Sequence, residues 1–136
     1  MKYNPYFLFD GHAEEATNLY AKAFNGEVQM MKFKDAPPNP NFTVPEELME
    51  RVMHSEVRFN DLVFMLCDSS PMEPVTNGNN VQVSIIFDEI DELTKVFDVL
   101  SIDGNIAMAP GETFFAKYYT MFTDKFGVTW QFIVQK

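Results

Sequence analysis

Three side chains near the middle of the sequence carry groups suited to acid–base or nucleophilic chemistry: His54, Glu56 and Cys67. They lie on two apolar-alternating segments, 52–59 and 62–67, which flank an Asn-Asp pair typical of a two-residue hairpin. Because side chains alternate along a strand, this turn places His54 opposite Cys67, with Glu56 further along the same face. The alternation therefore brings an imidazole, a carboxylate and a thiol together.

This group of side chains supports two interpretations. An imidazole beside a thiol favours a reactive thiolate, and Glu56 could orient His54 or a ligand. The alternative is a structural buried cysteine beside a hydrogen-bonded histidine. The sequence therefore offers His54, Glu56 and Cys67 as candidate catalytic residues and leaves their role open.

The elements that must position these residues occur twice in the chain. An apolar segment ending in Phe9-Asp10 precedes a helical pattern, and a second segment ending in Phe87-Asp88 precedes the same pattern. Each helix stops at an Asn-Gly or Asp-Gly signal and is followed by three strand patterns. We therefore predict an α+β fold of two βαβββ modules, at residues 3–68 and 80–135, with a linker at 69–79.

One segment, residues 34–51, has no equally long counterpart in the second module. It contains Pro37-Pro38-Asn39-Pro40, which cannot adopt regular structure, and then a short helical pattern that starts at Pro45. Long loops in small domains are often lids over a site. We expect either a lid-like insert or a plain surface excursion.

Composition excludes several classes of protein. The 136 residues include 20 acidic and 10 basic side chains, and the net charge of −10 argues against nucleic acid or an anionic membrane as a partner. No apolar run approaches the roughly 20 residues that span a bilayer, and the N-terminal residues lack a signal-peptide pattern. We therefore expect a cytoplasmic protein. One cysteine excludes an intrachain disulfide and a multi-cysteine zinc cluster.

Three stretches carry a family resemblance: residues 9–16 (FDGHAEEA), 53–57 (MHSEV) and 123–130 (TDKFGVTW). Together with the repeat, they resemble the vicinal oxygen chelate superfamily of glyoxalase, bleomycin-resistance and dioxygenase proteins, and within it the PhnB-like family. The chain departs from the family at Phe114-Phe115-Ala116, where Phe-Trp-Gly is common. The resemblance covers nearly the whole chain.

The resemblance implies that each module forms a curved sheet and that a ligand cup lies between paired modules. Relatives pair modules within one chain or between chains, and a homodimer is the expected assembly. The expected partner is a small-molecule ligand. The predicted cup residues are Phe7, His54, Glu56, Met65, Cys67, Gln82, Tyr119 and Gln131.

Metal-using relatives hold a divalent ion with His, Glu or Gln side chains from four matched strand positions. Carried over by strand, the equivalents here look like Pro5, Met65, Gln82 and Gln131. Proline offers no side-chain ligand, and a thioether is a poor ligand for hard divalent ions. We therefore expect no usual metal site and no cofactor. A displaced ion bound by His54 and Glu56 with Gln82 or Gln131 is the alternative.

These observations favour a small-molecule binding protein, or an enzyme that works without a bound divalent metal. Two alternatives remain: a metal-dependent lyase, dioxygenase or isomerase of the superfamily type, and a resistance-type protein that sequesters a bulky compound. Proteins of this family are sometimes named as ubiquinone-pathway methyltransferases. The sequence contains no Gly-x-Gly-x-x-Gly loop of the Rossmann kind, so nothing in it supports that name.

Overall fold

In each half of the chain, one helix packs on one face of a four-stranded sheet. A computed structural model describes residues 1–70 and 72–136, which divide into unit 1, Met1–Thr76, and unit 2, Asn77–Lys136. Both units follow the order strand, helix, strand, strand, strand, so the predicted βαβββ modules are confirmed.

Unit 1 contains one α-helix, two short 3₁₀ turns and four strands in the order β1-β4-β3-β2. Strand β1 runs parallel to β4, whereas the β4–β3 and β3–β2 pairs are antiparallel. The predicted hairpin is present, because Phe59 pairs with Leu62 across the turn at Asn60. The elements are β1 (Tyr6–Phe9), α1 (Ala13–Phe24), β2 (Glu27–Lys32), β3 (Val52–Phe59) and β4 (Leu62–Asp68).

Unit 2 repeats this topology with the strand order β5-β8-β7-β6, and β5 runs parallel to β8. Its elements are β5 (Val83–Phe87), α2 (Ile90–Leu100), β6 (Asn105–Gly111), β7 (Tyr118–Thr123) and β8 (Thr129–Val134). The edge strand β6 is irregular, because its pairing with β7 shifts register twice and Pro110 lies within it. Within the described ranges, the helices are too short to cross a membrane.

Aromatic side chains fill the space between helix and sheet in both units. In unit 1, the Phe7 ring lies 5.6 Å from the Tyr20 ring and 5.7 Å from the Phe64 ring, both edge to face. In unit 2, Trp130 and Phe132 are fully buried beneath α2. Each such burial contributes about 1.5–3 kcal/mol. The helix-facing side of each sheet therefore forms part of the hydrophobic core.

A buried aspartate supports each unit at a point where backbone N–H groups would otherwise lack partners. In unit 1, Asp68 accepts hydrogen bonds from the N–H groups of Ala13, at the start of α1, and Val52, at the start of β3, at 3.0 and 2.9 Å. In unit 2, Asp124 accepts hydrogen bonds from two backbone N–H groups of the β7–β8 turn and from the Trp130 indole. Both aspartates thus fix the relative placement of elements within their unit.

Substitution of Gly104 should destabilise the protein strongly, because the α2–β6 connection passes close to the end of β7 at this residue. A Cβ atom on Gly104 would collide with the backbone carbonyl of Thr123. Because a backbone carbonyl cannot move aside, Gly104→Ala should lower the free energy of unfolding by about 1–3 kcal/mol, measured by urea denaturation. Gly78→Ala is the control, because the nearest atom to its added Cβ is Asn80 Oδ1 at 3.5 Å. Equal stabilities of the two variants would contradict this expectation.

Candidate functional site

The candidate catalytic residues lie on the sheet face of unit 1 that does not pack against α1. Strand β3 places His54 and Glu56 on this face, and Glu56 pairs with Met65 of β4. Cys67 lies on the same face of β4, two residues beyond Met65, and forms a hydrogen bond with Tyr6. Strand β1 adds Tyr6, which pairs with Met65 from the other side. The structure therefore brings together the three side chains singled out in the sequence and adds a tyrosine.

Four side chains on this face form a continuous hydrogen-bonded chain. The Tyr6 hydroxyl lies 3.3 Å from His54 Nδ1, and His54 Nε2 lies 3.0 Å from Glu56 Oε2. The other carboxylate oxygen of Glu56 accepts a hydrogen bond from Arg58. The Glu56 side chain is 13% exposed and that of His54 is 38% exposed. A largely buried carboxylate thus holds one end of a half-exposed imidazole.

The charge state of Glu56 follows from these partners. The hydrogen bond with His54, followed by that with Arg58, lowers the pKa of the Glu56 carboxyl, and desolvation opposes them. An ionised carboxylate only accepts, so His54 Nε2 carries a proton. In neutral His54, Nδ1 is then the acceptor for the Tyr6 hydroxyl. Glu56 therefore fixes which ring nitrogen faces Tyr6.

The Tyr6 hydroxyl is held in its neutral form. Burial, followed by a hydrogen bond and an electrostatic interaction with Cys67, raises the pKa of Tyr6 to about 12. The residue as a whole is 54% exposed, and its hydroxyl lies 3.3 Å from His54 Nδ1. The Tyr6 hydroxyl is therefore a hydrogen-bond donor at neutral pH. The nucleophilic role considered for Cys67, which is half-buried, stays a prediction.

One predicted cup residue lies on the wrong face for this cluster. Phe7 pairs with Leu66 and packs its ring on Tyr20 and Phe64, so it belongs to the core beneath α1. Its neighbour Tyr6 occupies the face that was assigned to Phe7, because successive strand residues point to opposite sides. Tyr6 is not among the predicted cup residues, although its alternation with Phe7 in an apolar strand indicates that one of the two side chains faces away from the core.

The predicted residues of unit 2 form a second chain made of neutral groups. The Tyr119 hydroxyl donates to Gln131 Oε1 at 2.9 Å, and Gln131 Nε2 donates to Gln82 Oε1 at 2.7 Å. Gln82 Nε2 in turn donates to the Asn79 carbonyl at 3.1 Å. Burial raises the pKa of Tyr119. These three residues lie together within unit 2, and the cup that would combine them with unit 1 stays a prediction.

The four positions that the resemblance assigns to metal ligands offer few side-chain donors suited to a divalent ion. In unit 1, the carbonyl of Pro5 accepts the N–H of Met65, which leaves a thioether as the side-chain donor. In unit 2, the amides of Gln82 and Gln131 already bind each other. Hard divalent ions prefer carboxylate oxygens and borderline ions such as zinc prefer imidazole, and these four positions provide neither group. Among residues 1–70 and 72–136, groups of three or more His, Cys, Asp or Glu side chains able to hold a metal are also absent.

The insert at 34–51, together with Phe33 and Met53, lines an open cavity of about 450 Å³. Backbone hydrogen bonds from Phe33 to Arg51 and from Lys34 to Met49 close its base, and the predicted helix is a single 3₁₀ turn at Glu46–Leu48. Apolar side chains dominate the cavity wall, including Phe33, Pro37, Pro38, Phe42, Val44, Met49 and Met53. A lid function of the insert stays a prediction.

The ionised state of Glu56 predicts a pH effect on stability. Its pKa in the folded protein lies below the usual 4.5, so the stability from its partners is fully present above pH 4.5 and is lost as pH falls through the lowered value. The melting temperature of the wild type should therefore fall below pH 4.5 more steeply than that of Glu56→Gln. Calorimetry between pH 7 and pH 3 measures this difference, and parallel curves would contradict it.

Comparison with known proteins gives consistent matches along the chain. A model of the family described as 3-demethylubiquinone-9 3-methyltransferase matches residues 1–133. The crystal structure of protein PA1353 from Pseudomonas aeruginosa is similar with a TM-score of 0.88 and 28% identity, and covers 99% of this chain and 98% of that one. A putative 3-demethylubiquinone-9 3-methyltransferase, PhnB protein, from Bacillus cereus is similar with a TM-score of 0.79 and 27% identity, over 98% and 99%.

A more distant match shows the fold alone. A glyoxylase/bleomycin resistance protein/dioxygenase domain from Frankia sp. EAN1pec shares 8% identity with a TM-score of 0.66, over 100% of this chain and 93% of that one. Its likeness agrees with the paired βαβββ order of the two units.

Proposed function

The chain belongs to the PhnB-like family of the vicinal oxygen chelate superfamily, and we propose that it binds a small organic molecule without the divalent metal site of metal-using members. One observation carries this proposal. The exposed sheet face of unit 1 carries the hydrogen-bonded side chains Tyr6, His54 and Glu56. Pro5 and Met65 occupy the adjoining positions, at which metal-using relatives carry ligands.

The surface around this chain suits a small ligand with one or two polar atoms. Leu8 is 48% exposed on the same face, and Met65 lies half-buried between Tyr6 and Glu56. Sites for small molecules are mostly apolar, with a few placed polar groups that fix orientation. Here Tyr6 and His54 supply those polar groups. Methyl transfer is the activity named for the matched family and, as putative, for the Bacillus cereus protein, whereas the groups on this face favour acid–base chemistry.

Metal analysis tests the first half of the proposal. Protein purified without chelator should contain far less than one equivalent of any divalent ion by inductively coupled plasma mass spectrometry. A stoichiometric ion that is lost in His54→Ala but retained in His12→Ala would overturn the proposal. That result would favour the metal-dependent lyase, dioxygenase or isomerase.

Ligand screening tests the second half. A thermal-shift screen with small carboxylic acids, phenols and ketones should give at least one compound that stabilises the wild type. The stabilisation should decrease in His54→Ala and persist in His12→Ala. Absence of a stabilising compound, or stabilisation independent of His54, would contradict binding at this face. Tight binding of a bulky compound without turnover would favour the sequestering alternative.

We also propose that the chain acts as a homodimer. Phe114 and Phe115 are 92% and 52% exposed, and large exposed apolar side chains often mark interfaces. Light scattering after size exclusion should give twice the chain mass of 15.7 kDa. A single-chain mass would refute the proposal.

A further inference from the structure

We propose that Tyr6, His54 and Glu56 form a proton relay that protonates or deprotonates an oxygen atom of the bound small molecule. The inference rests on the proposed function, because it assigns chemistry to the same sheet face. It narrows the ligand to molecules with a weakly acidic hydroxyl, such as enols and phenols, or to their anions. Tyr6 and His54 are the candidate catalytic residues, and Glu56 is a positioning residue.

The order of contacts gives the relay a direction. Glu56 holds the Nε2 side of the His54 ring at 3.0 Å, and Nδ1 faces the Tyr6 hydroxyl at 3.3 Å. Arg58 binds the other oxygen of Glu56, so the carboxylate is fixed from both sides. Imidazole is the side chain that exchanges protons near neutral pH. The buried end of the chain is therefore anchored, and the exposed end is a phenol.

Tyr6 is the member of the chain that can meet a ligand. It lies on the edge strand β1 and is 54% exposed, whereas the Glu56 side chain is 13% exposed. Its hydroxyl keeps its proton at neutral pH, as its raised pKa requires. Tyr6 is therefore a donor to a ligand oxygen, and His54 behind it can resupply the proton.

The transfer balances without any further reactant. In the protonating direction, the Tyr6 O–H bond breaks as an O–H bond forms on the ligand oxygen. The Nδ1–H bond of protonated His54 breaks at the same time, and its proton restores the Tyr6 hydroxyl. His54 is left neutral with its Nε2–H donated to Glu56, and it regains a proton from solvent. The deprotonating direction is the reverse, and no electrons are gained or lost.

The groups that can influence this proton transfer are the charged and titratable side chains on the same sheet face as His54. Titratable and charged side chains reach this face from each of the four strands: Tyr6 from β1, Glu27 from β2, Glu56 and Arg58 from β3, and Cys67 from β4. Unit 2 gives a natural contrast, because its chain of Tyr119, Gln131 and Gln82 has amides where a relay needs a base. The proton relay is thus a property of unit 1.

The first test needs no ligand. Nitrogen-15 NMR of the two histidines should show neutral His54 protonated at Nε2 and unprotonated at Nδ1. Glu56→Gln should abolish this preference, because an amide can donate as well as accept. Tyr6→Phe should retain it. A wild-type His54 protonated at Nδ1 when neutral would overturn the relay.

The second test uses 4-nitrophenol, whose anion absorbs visible light. Wild-type protein at pH 7 should bind the probe as its anion, with the Tyr6 hydroxyl donating a hydrogen bond to the anionic oxygen, and a shift in the absorbance should report the binding. Tyr6→Phe should weaken binding of the anion about tenfold, the effect of losing one hydrogen bond to a charged group. Tyr3→Phe is the control, because Tyr3 is 90% exposed.

Two outcomes of the second test separate the inference from the proposed function. The pH midpoint of probe protonation should fall in Glu56→Gln, which a purely structural role for Glu56 would not cause. If 4-nitrophenol does not bind, or if it binds as the anion equally in wild type and Tyr6→Phe, the relay is overturned. The proposed function fails separately, when the thermal-shift screen finds no compound that depends on His54.

Discussion

Asp124→Ala should lower the free energy of unfolding by about 3–5 kcal/mol, because the buried Trp130 indole and two half-buried backbone N–H groups lose their acceptor at once. The Asp124 carboxylate accepts from the N–H groups of Phe126 and Val128 at 2.9 and 3.1 Å, and from Trp130 Nε1 at 2.9 Å. Only 3% of Asp124 is exposed, so water cannot replace the carboxylate without rearrangement. Each buried donor without a partner costs about 1–3 kcal/mol.

Urea denaturation followed by tryptophan fluorescence measures this loss directly. Trp130 is the single tryptophan of the chain and one of the three donors, so its emission reports on the same site. Asp98→Ala is the control, because Asp98 is exposed on α2 and should change stability by no more than about 0.5 kcal/mol. A loss below about 1 kcal/mol in Asp124→Ala would contradict the assigned role.

Asp68→Ala should lower the free energy of unfolding by about 2–4 kcal/mol, because two buried donors in unit 1 lose their acceptor. The Asp68 carboxylate joins the N–H of Ala13 to the N–H of Val52, so it connects the start of α1 with the start of β3. Its exposure is 6%. Removing it should therefore loosen the helix and the strand that carries His54.

Amide hydrogen exchange locates this effect. In Asp68→Ala, hydrogen exchange should accelerate more at the amides of Ala13 and Val52 than at the amide of Trp130 in unit 2. Asp10→Ala is the matched control, because Asp10 forms an exposed ion pair with Arg51 and should cost less than about 1 kcal/mol. Uniform acceleration throughout the chain, or equal stability of the two variants, would show that Asp68 has no local role.

The elements of the fold were predictable because their signals are local. Helical spacing, stop signals at glycine and alternation on both sides of a short turn depend on neighbouring residues. The pairing of Phe59 with Leu62 follows from the turn alone and is confirmed. The same register accounts for the grouping of His54, Glu56 and Cys67.

The remaining parts of the site depend on contacts between distant residues. The face occupied by β1 is set by its parallel pairing with β4, which no local pattern specifies, and Phe7 was therefore placed where Tyr6 lies. Asp68 caps a helix that begins 55 residues earlier in the chain, so no spacing rule could identify its partner. Nor could the alternation of β3 show that His54 links Tyr6 to Glu56.

The irregular strand β6 has a consequence for the behaviour of the protein at high concentration. An exposed edge strand can recruit a strand from another molecule and so begin a fibril. On β6, Ile106 and Met108 are 48% and 46% exposed, which would favour such growth. Pro110 offers no N–H to an incoming strand, and the two register shifts interrupt the row of donors and acceptors. We expect that replacing Pro110 with threonine would shorten the lag before fibrils form in concentrated solution.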